Sequence, residues 1–312
     1  MVGSVKRFIV VFILSIFSIG AYAQNTKVVV IPMFEENPPL EPFAPLTSPS
    51  PSLDNYTVTS KSVIDKITGL EWQKETDSFY DPNWNWIAAR EHCALLDLNN
   101  KTDWRLPSVS ALMSIVYYGS LPGSQPTINI FAFPSTYKEK YWTSNWKADP
   151  YGDVWTINFK SGHIKAIGYQ GLGEQVYARC VRSTITQGSV LRDNGDHTVS
   201  DLATGLLWQK TRSVVARSWT TAQEYCSNLE LGNFSDWRLP NVKELASIID
   251  YRVDDPAIDT LMAAGTSSQK PFWSDTSKAD EATTKAFAVN FESGSISSES
   301  KTATDGYARC VR

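Results

Sequence analysis

The string Asp103-Trp104-Arg105-Leu106-Pro107 returns, unchanged, as Asp236-Trp237-Arg238-Leu239-Pro240. An acid, a base and a tryptophan do not recur in one order 133 residues apart by chance, so the first expectation is a duplicated unit. The surrounding residues extend it. Thr68-Gly69-Leu70-Glu71-Trp72-Gln73-Lys74 matches Thr204-Gly205-Leu206-Leu207-Trp208-Gln209-Lys210, and Trp86 through Cys93 matches Trp219 through Cys226. Downstream, Tyr141-Trp142-Thr143-Ser144 pairs with Phe272-Trp273-Ser274-Asp275. Tyr177-Ala178-Arg179-Cys180-Val181-Arg182 is repeated without change at 307–312. The order is complete and the offset drifts little, which makes this a tandem pair of domains large enough to bury a core.

The spacing of apolar residues predicts the elements of each copy. Trp86, Ala89, Cys93 and Leu96, like Trp219, Ala222, Cys226 and Leu229, form one stripe on an amphipathic helix. A second helix is expected just after the prolines. Val109, Leu112, Ile115 and Val116 form its inner face in copy one; Val242, Leu245, Ile248 and Ile249 do so in copy two. Ser108 is a cap, and Asn241 with Glu244 has the form of a capping box. Alternating Trp155, Ile157 and Phe159 before Ser161-Gly162, and Phe287, Val289 and Phe291 before Ser293-Gly294, read as hairpins. The expected class is α+β, each domain holding two helices, an antiparallel sheet and one disulfide.

The four cysteines follow the duplication. Of three pairings, the one that repeats with the domain is Cys93–Cys180 and Cys226–Cys310. Each closes a long loop, worth about 4 kcal/mol in the chain-entropy model. Zinc needs closely spaced Cys or His pairs, and His92, His163 and His197 have no counterparts in the other copy.

Disulfides suit an exported chain. Lys6 and Arg7, the apolar run from Phe8 to Ile19 and Ala21-Tyr22-Ala23 have the form of a signal peptide over 1–23. Residues 24–53, rich in Pro and Ser, read as a linker, followed by domains at 54–183 and 190–312. The apolar run is too short for a membrane span, and no integral membrane protein is expected. The destination is the periplasm, cell surface or medium.

The opening TGLxWQ, the helix with W-x-x-A-x-x-x-C, DWRLP before a helix, YW-S/T and the closing ARCVR resemble the Lcl C-terminal-like domain family, across both repeats. That family is named after the end of a bacterial collagen-like adhesin and is related to the C-type-lectin-like fold. The resemblance implies two tandem C-type-lectin-like domains used for recognition, with no catalytic residue to transfer and with adhesin members associated with sulfated glycans. A helix-to-last-strand disulfide is also a feature of that fold.

Charge argues against a polyanionic ligand, nucleic acid included. Residues 54–182 carry 13 basic and 13 acidic side chains, and residues 192–312 carry 13 against 17. A neutral glycan or a surface protein is the expected partner, bound in an exported recognition or adhesion role. A structural role in an envelope or appendage assembly is the alternative. A formylglycine-generating type of enzyme is the more remote one, since the disulfides leave no thiol for it.

Within DWRLP the Asp and Arg, two apart, are expected to pair beside a buried Trp104 or Trp237. Binding is expected instead in the stretch 142–155, where Trp142, Asn145, Trp146, Asp149 and Asp153 combine rings and oxygens, and at Trp273 and Asp275 in copy two. These are the candidate ligand residues. No resident cofactor is expected; a calcium ion at this oxygen-rich loop is the one candidate. Asp193-Asn194-Gly195-Asp196 with Asp201 lacks the spacing and closing Glu of a calcium loop and reads as a turn.

Overall fold

The computed structural model describes residues 53–76, 85–119, 126–148, 151–183, 190–253, 255–264, 266 and 270–312. The signal-peptide segment, and the Pro/Ser-rich stretch apart from Leu53, lie outside the described residues. Copy one runs β1 (Tyr56–Val58), β2 (Ser62–Asp65), β3 (Glu71–Gln73), α1 (Trp86–Leu95), α2 (Val109–Ser114), β4 (Lys140–Trp146), β5 (Asp153–Asn158), β6 (Ile164–Gly168), β7 (Val176–Tyr177) and β8 (Val181–Arg182). Copy two repeats the plan as β9 (Leu191–Asp193), β10 (Thr198–Asp201), β11 (Leu207–Gln209), α3 (Trp219–Ser227), α4 (Val242–Ser247), β12 (Phe272–Ser277), β13 (Lys285–Asn290) and β14 (Ser295–Ser300). The protein is α+β, with two tandem domains.

The expected helices form for the expected reasons. Trp86, Ala89 and Cys93 are the buried face of α1, and the Asn85 side chain accepts from Ala88 N to cap it. The second helices stop after six residues, so Ile115, Val116, Ile248 and Ile249 stay buried beyond the helix ends. Ser108 caps α2 and the Asn241–Glu244 capping box closes α4. Both disulfides are the repeat-consistent ones, Cys93–Cys180 and Cys226–Cys310.

The repeated motifs meet at those disulfides. Gln73 exchanges two contacts with Cys180: its N–H donates to Cys180 O, and its side-chain oxygen accepts from Cys180 N at 3.1 Å. Gln209 and Cys310 do the same. DWRLP lies antiparallel to the closing strand, Arg105 and Val181 exchanging N–H to O bonds, as do Arg238 and Val311. Its Asp does not pair with its own Arg. Asp103 accepts a fork from Arg182, at 2.7 and 3.0 Å, and Asp236 accepts one from Arg312, at 2.6 and 3.1 Å. The expected pairing is corrected by strand geometry: the last strand lies alongside and brings its final arginine to the Asp. Trp104 and Trp237 are buried as expected, their indole N–H groups donating to loop carbonyls.

The fully buried arginine belongs to ARCVR. Arg179 donates to Gln73 O, Lys74 O, Thr76 Oγ1 and Thr136 Oγ1 at 2.6 to 2.8 Å. Among the described residues Arg309 donates to Met262 O and Thr266 Oγ1 and finds no partner for Nε and Nη1, and burial pulls its pKa down to about 9.

The two copies do not stand apart. Their main sheets join into one of seven strands, in the order β12-β13-β14-β6-β5-β4-β7. At the junction Ile164 pairs with Ile296, its own repeat counterpart. Tyr118 packs edge-on against Phe287 at 4.8 Å, and Tyr251 against Trp155 at 5.1 Å. Because Tyr118 corresponds to Tyr251 and Trp155 to Phe287, these two contacts are one contact applied twice. That is the signature of an isologous, twofold-like interface. Lys243 reaches across it to donate to Ser114 O at 2.9 Å. One apolar cluster accordingly contains Leu112, Ile115 and Ile164 together with Leu245, Ile249 and Ile296.

Candidate functional site

The residues expected to bind divide sharply by burial. Trp142 and Trp273 are 0% exposed and belong to the cores beneath the sheet. Asn145 is buried, its Oδ1 accepting from Val109 N at 2.8 Å and so fixing the start of α2; Thr276 Oγ1 does this for α4. These three residues are scaffold, and the expectation that they face a ligand is corrected. A strand that enters the core hides its rings on one pleat face, which the local sequence does not show. Asp149, on which the calcium expectation depends, lies outside the described residues. Asp153 is half-buried where β5 begins, its carbonyl accepting from Lys147 N at 2.9 Å.

Trp146 remains. It is half-buried, with its ring 4.5 Å from Trp86 and 6.1 Å from Tyr169, while Arg90 lies over the Trp86 ring at 4.6 Å. Tyr151, two residues before β5, is 82% exposed. Copy one therefore presents an aromatic surface.

Copy two replaces these rings with charge. At the matching tryptophan, Trp219, the Lys301 ammonium sits 3.7 Å from the ring centroid and is anchored to Ser277 Oγ and Ala282 O. Beside it lies a cleft of about 420 Å³ lined by Gln223, Ser227, Arg238, Leu239, Asn241, Glu244 and Asp275. Sequence reasoning finds Asp275 and misses the rest. Asp275 is exposed and accepts from Gln223 Nε2. Glu244 is buried and takes both ends of the Arg238 guanidinium at 2.7 Å, while also accepting from Asn241 N at 2.8 Å. This hydrogen-bonded partnership holds Arg238 above its ordinary value, so the group stays charged at any working pH.

Copy one cannot build this cleft. Ala111 stands where Glu244 is and Ser144 where Asp275 is, and Arg105 turns to donate to the carbonyls of Leu106 and Ser183. The pairing of a glutamate at 244 with the duplicated arginine is the signal in the sequence. Reading Glu244 only as a capping residue hides it.

The acidic run in copy two forms turns, as expected. Asp193 accepts from Gly195 N and pairs with Lys210, and Asp196 accepts from Thr198. Among the described residues, no three His, Cys, Asp or Glu side chains come together to hold a metal ion, and no helix is long and apolar enough to cross a membrane.

Comparison with known proteins matches this scaffold twice, to the Lcl C-terminal domain, at residues 61–182 and 197–312. The chain belongs to the Lcl C-terminal domain family. No curated protein matches it. The matched segments of both Lcl C-terminal domains begin near the first hairpin and end on the closing Arg182 and Arg312. They include every shared motif, from WQ to ARCVR, that converges on the disulfide.

Proposed function

We propose that this chain is an exported, non-catalytic recognition protein, in which one scaffold of two Lcl C-terminal domains carries two differently built binding surfaces. The observation that carries this reading is the contrast between the copies at one equivalent place. The clamp residues are shared, while the surface beside them is aromatic in copy one and a charged cleft in copy two. Packing demands explain the shared residues; the divergent ones hold nothing in common together. Conserving a frame while varying the surface it displays is how a binding scaffold is used.

Two further features support it. The disulfides, and the basic–apolar–small pattern of residues 1–23, suit passage into an oxidising compartment. All four cysteines are in disulfides, which leaves no thiol for a formylglycine-generating type of reaction. The ligand is a neutral glycan or a surface protein, because neither copy carries the basic excess that a sulfated chain requires.

The test is a screen of residues 24–312 against immobilised glycans and envelope proteins, with calcium and with a chelator. Saturable binding that salt does not abolish is the expected result. Turnover of any glycan, or no saturable binding to either class, overturns the reading.

A further inference from the structure

The copy-two cleft shows which chemistry it is built to meet. Its two working groups are fixed before any ligand arrives. Arg238 commits one N–H of each terminal nitrogen to Glu244, which is 1% exposed, while the arginine side chain is 47% exposed. A guanidinium has five N–H donors, so three remain, on a group that can no longer swing. Asp275, on β12, is held by Gln223 from α3. The Gln223 amide uses one donor there and keeps a donor and its carbonyl oxygen. The cleft thus offers donors and acceptors facing one space, with Leu239 among its lining residues.

Its charge excludes the simpler ligands. Glu244 neutralises Arg238 and the nearby Lys301 ammonium offsets Asp275, so the cleft has no net positive charge with which to hold a sulfate, phosphate or carboxylate. An ammonium would satisfy Asp275 but face the remaining N–H groups of Arg238. A hydroxyl, which donates and accepts at once, suits both. Two adjacent hydroxyls on a ring satisfy carboxylate, amide and guanidinium together, and a sugar ring's C–H face tolerates contact with a leucine side chain.

We infer that the cleft between α3, the start of α4 and β12 is a binding site for a neutral sugar carrying a vicinal diol, with Asp275 and Gln223 as its hydroxyl-orienting residues and Arg238 as its fixed donor. This rests on the recognition reading and narrows it to one domain. Copy one, with Ala111 and Ser144 in place of the two carboxylates, has no such site.

Titration calorimetry of the full chain with methyl glycosides of glucose, mannose, galactose and fucose tests it. At least one glycoside is expected to bind in the millimolar range or tighter. Asp275→Asn and Gln223→Ala are each expected to weaken it about ten-fold or more. Both residues lie on the cleft wall, so an unchanged melting temperature certifies that the variants fold. Added sulfated glycan should not compete. If none of the four glycosides binds, or if binding ignores both substitutions, the cleft assignment is overturned. A glycan from the wider screen that binds Asp275→Asn normally removes the cleft and leaves the recognition reading intact. Absence of every ligand in that screen removes both.

Discussion

The two copies agree where they touch each other and where they clamp their own disulfides, and they part where they face solvent. Ile164 meets Ile296, and Tyr118 and Tyr251 each insert against the other copy's hairpin. The Asp–Arg fork of DWRLP and ARCVR is the same in both within a tenth of an ångström. Against that sameness, one exchange between Ala111 and Glu244 turns an arginine from a loop carbonyl toward an open cleft. The difference teaches that the shared residues are held by two constraints, a fork to the last strand and a contact with the sister copy, while the cleft residues that differ, Gln223, Glu244 and Asp275, answer to neither.

The largest effect should come from breaking the contact between copies. Trp155→Ala removes the ring that packs on Tyr251 and approaches Gly294, and should cost about 3–5 kcal/mol, as for other buried aromatic truncations. Hydrogen exchange should then show α2 and α4 losing protection together. Protection retained across copy two would break the claim of a shared core.

The buried arginines sharpen the comparison next. Arg179→Met leaves four acceptors without a donor and should cost about 3–5 kcal/mol. Arg309→Met removes a guanidinium with two unpaired nitrogens, and the loss should be about 1–2 kcal/mol. Denaturant midpoints of the two variants measure this, and equal losses would mean that the copies do not differ here.

The smallest effect is at the junction itself. Lys243 has no charged counterpart in copy one, where Ser110 stands, and burial lowers its ammonium to about 8. The unfolded chain, with an ordinary lysine, binds the proton more tightly than the folded one. Between about pH 8 and 10.5 the unfolded state therefore holds more protons, and stability should rise with pH there. The gain should be roughly 1–2 kcal/mol, since the residue is only half-buried. Lys243→Met should be more stable than the parent below pH 8 and should lose the rise. Thermal melts at several pH values in this window check both.

Much of the fold is legible in the order and spacing of residues. The helix stripes, the caps at Ser108 and Asn241, both disulfides and the burial of Trp104 and Trp237 follow from periodicity and duplication. What is not legible depends on elements distant in the chain. Asp103 is assigned to Arg105 when read locally, because nothing in the sequence shows that Arg182 runs beside it. Ile164 alternates as an edge strand would whether that edge meets water or another strand. Trp155 has no tryptophan counterpart because it fills one side of an interface whose other side uses Phe287, and the sequence shows neither side. Trp146 and Asp275 can be found because unusual side chains at a loop edge do stand out. Their companions Arg238 and Glu244 sit inside motifs that already have a structural meaning.

Pairing an isoleucine with its own counterpart has a consequence for assembly. Were the halves separate chains, such a contact would form only above some concentration and would come apart on dilution. Held in one polypeptide, the partner is always present at high effective concentration. The pair therefore persists at any dilution, always with one surface of each kind.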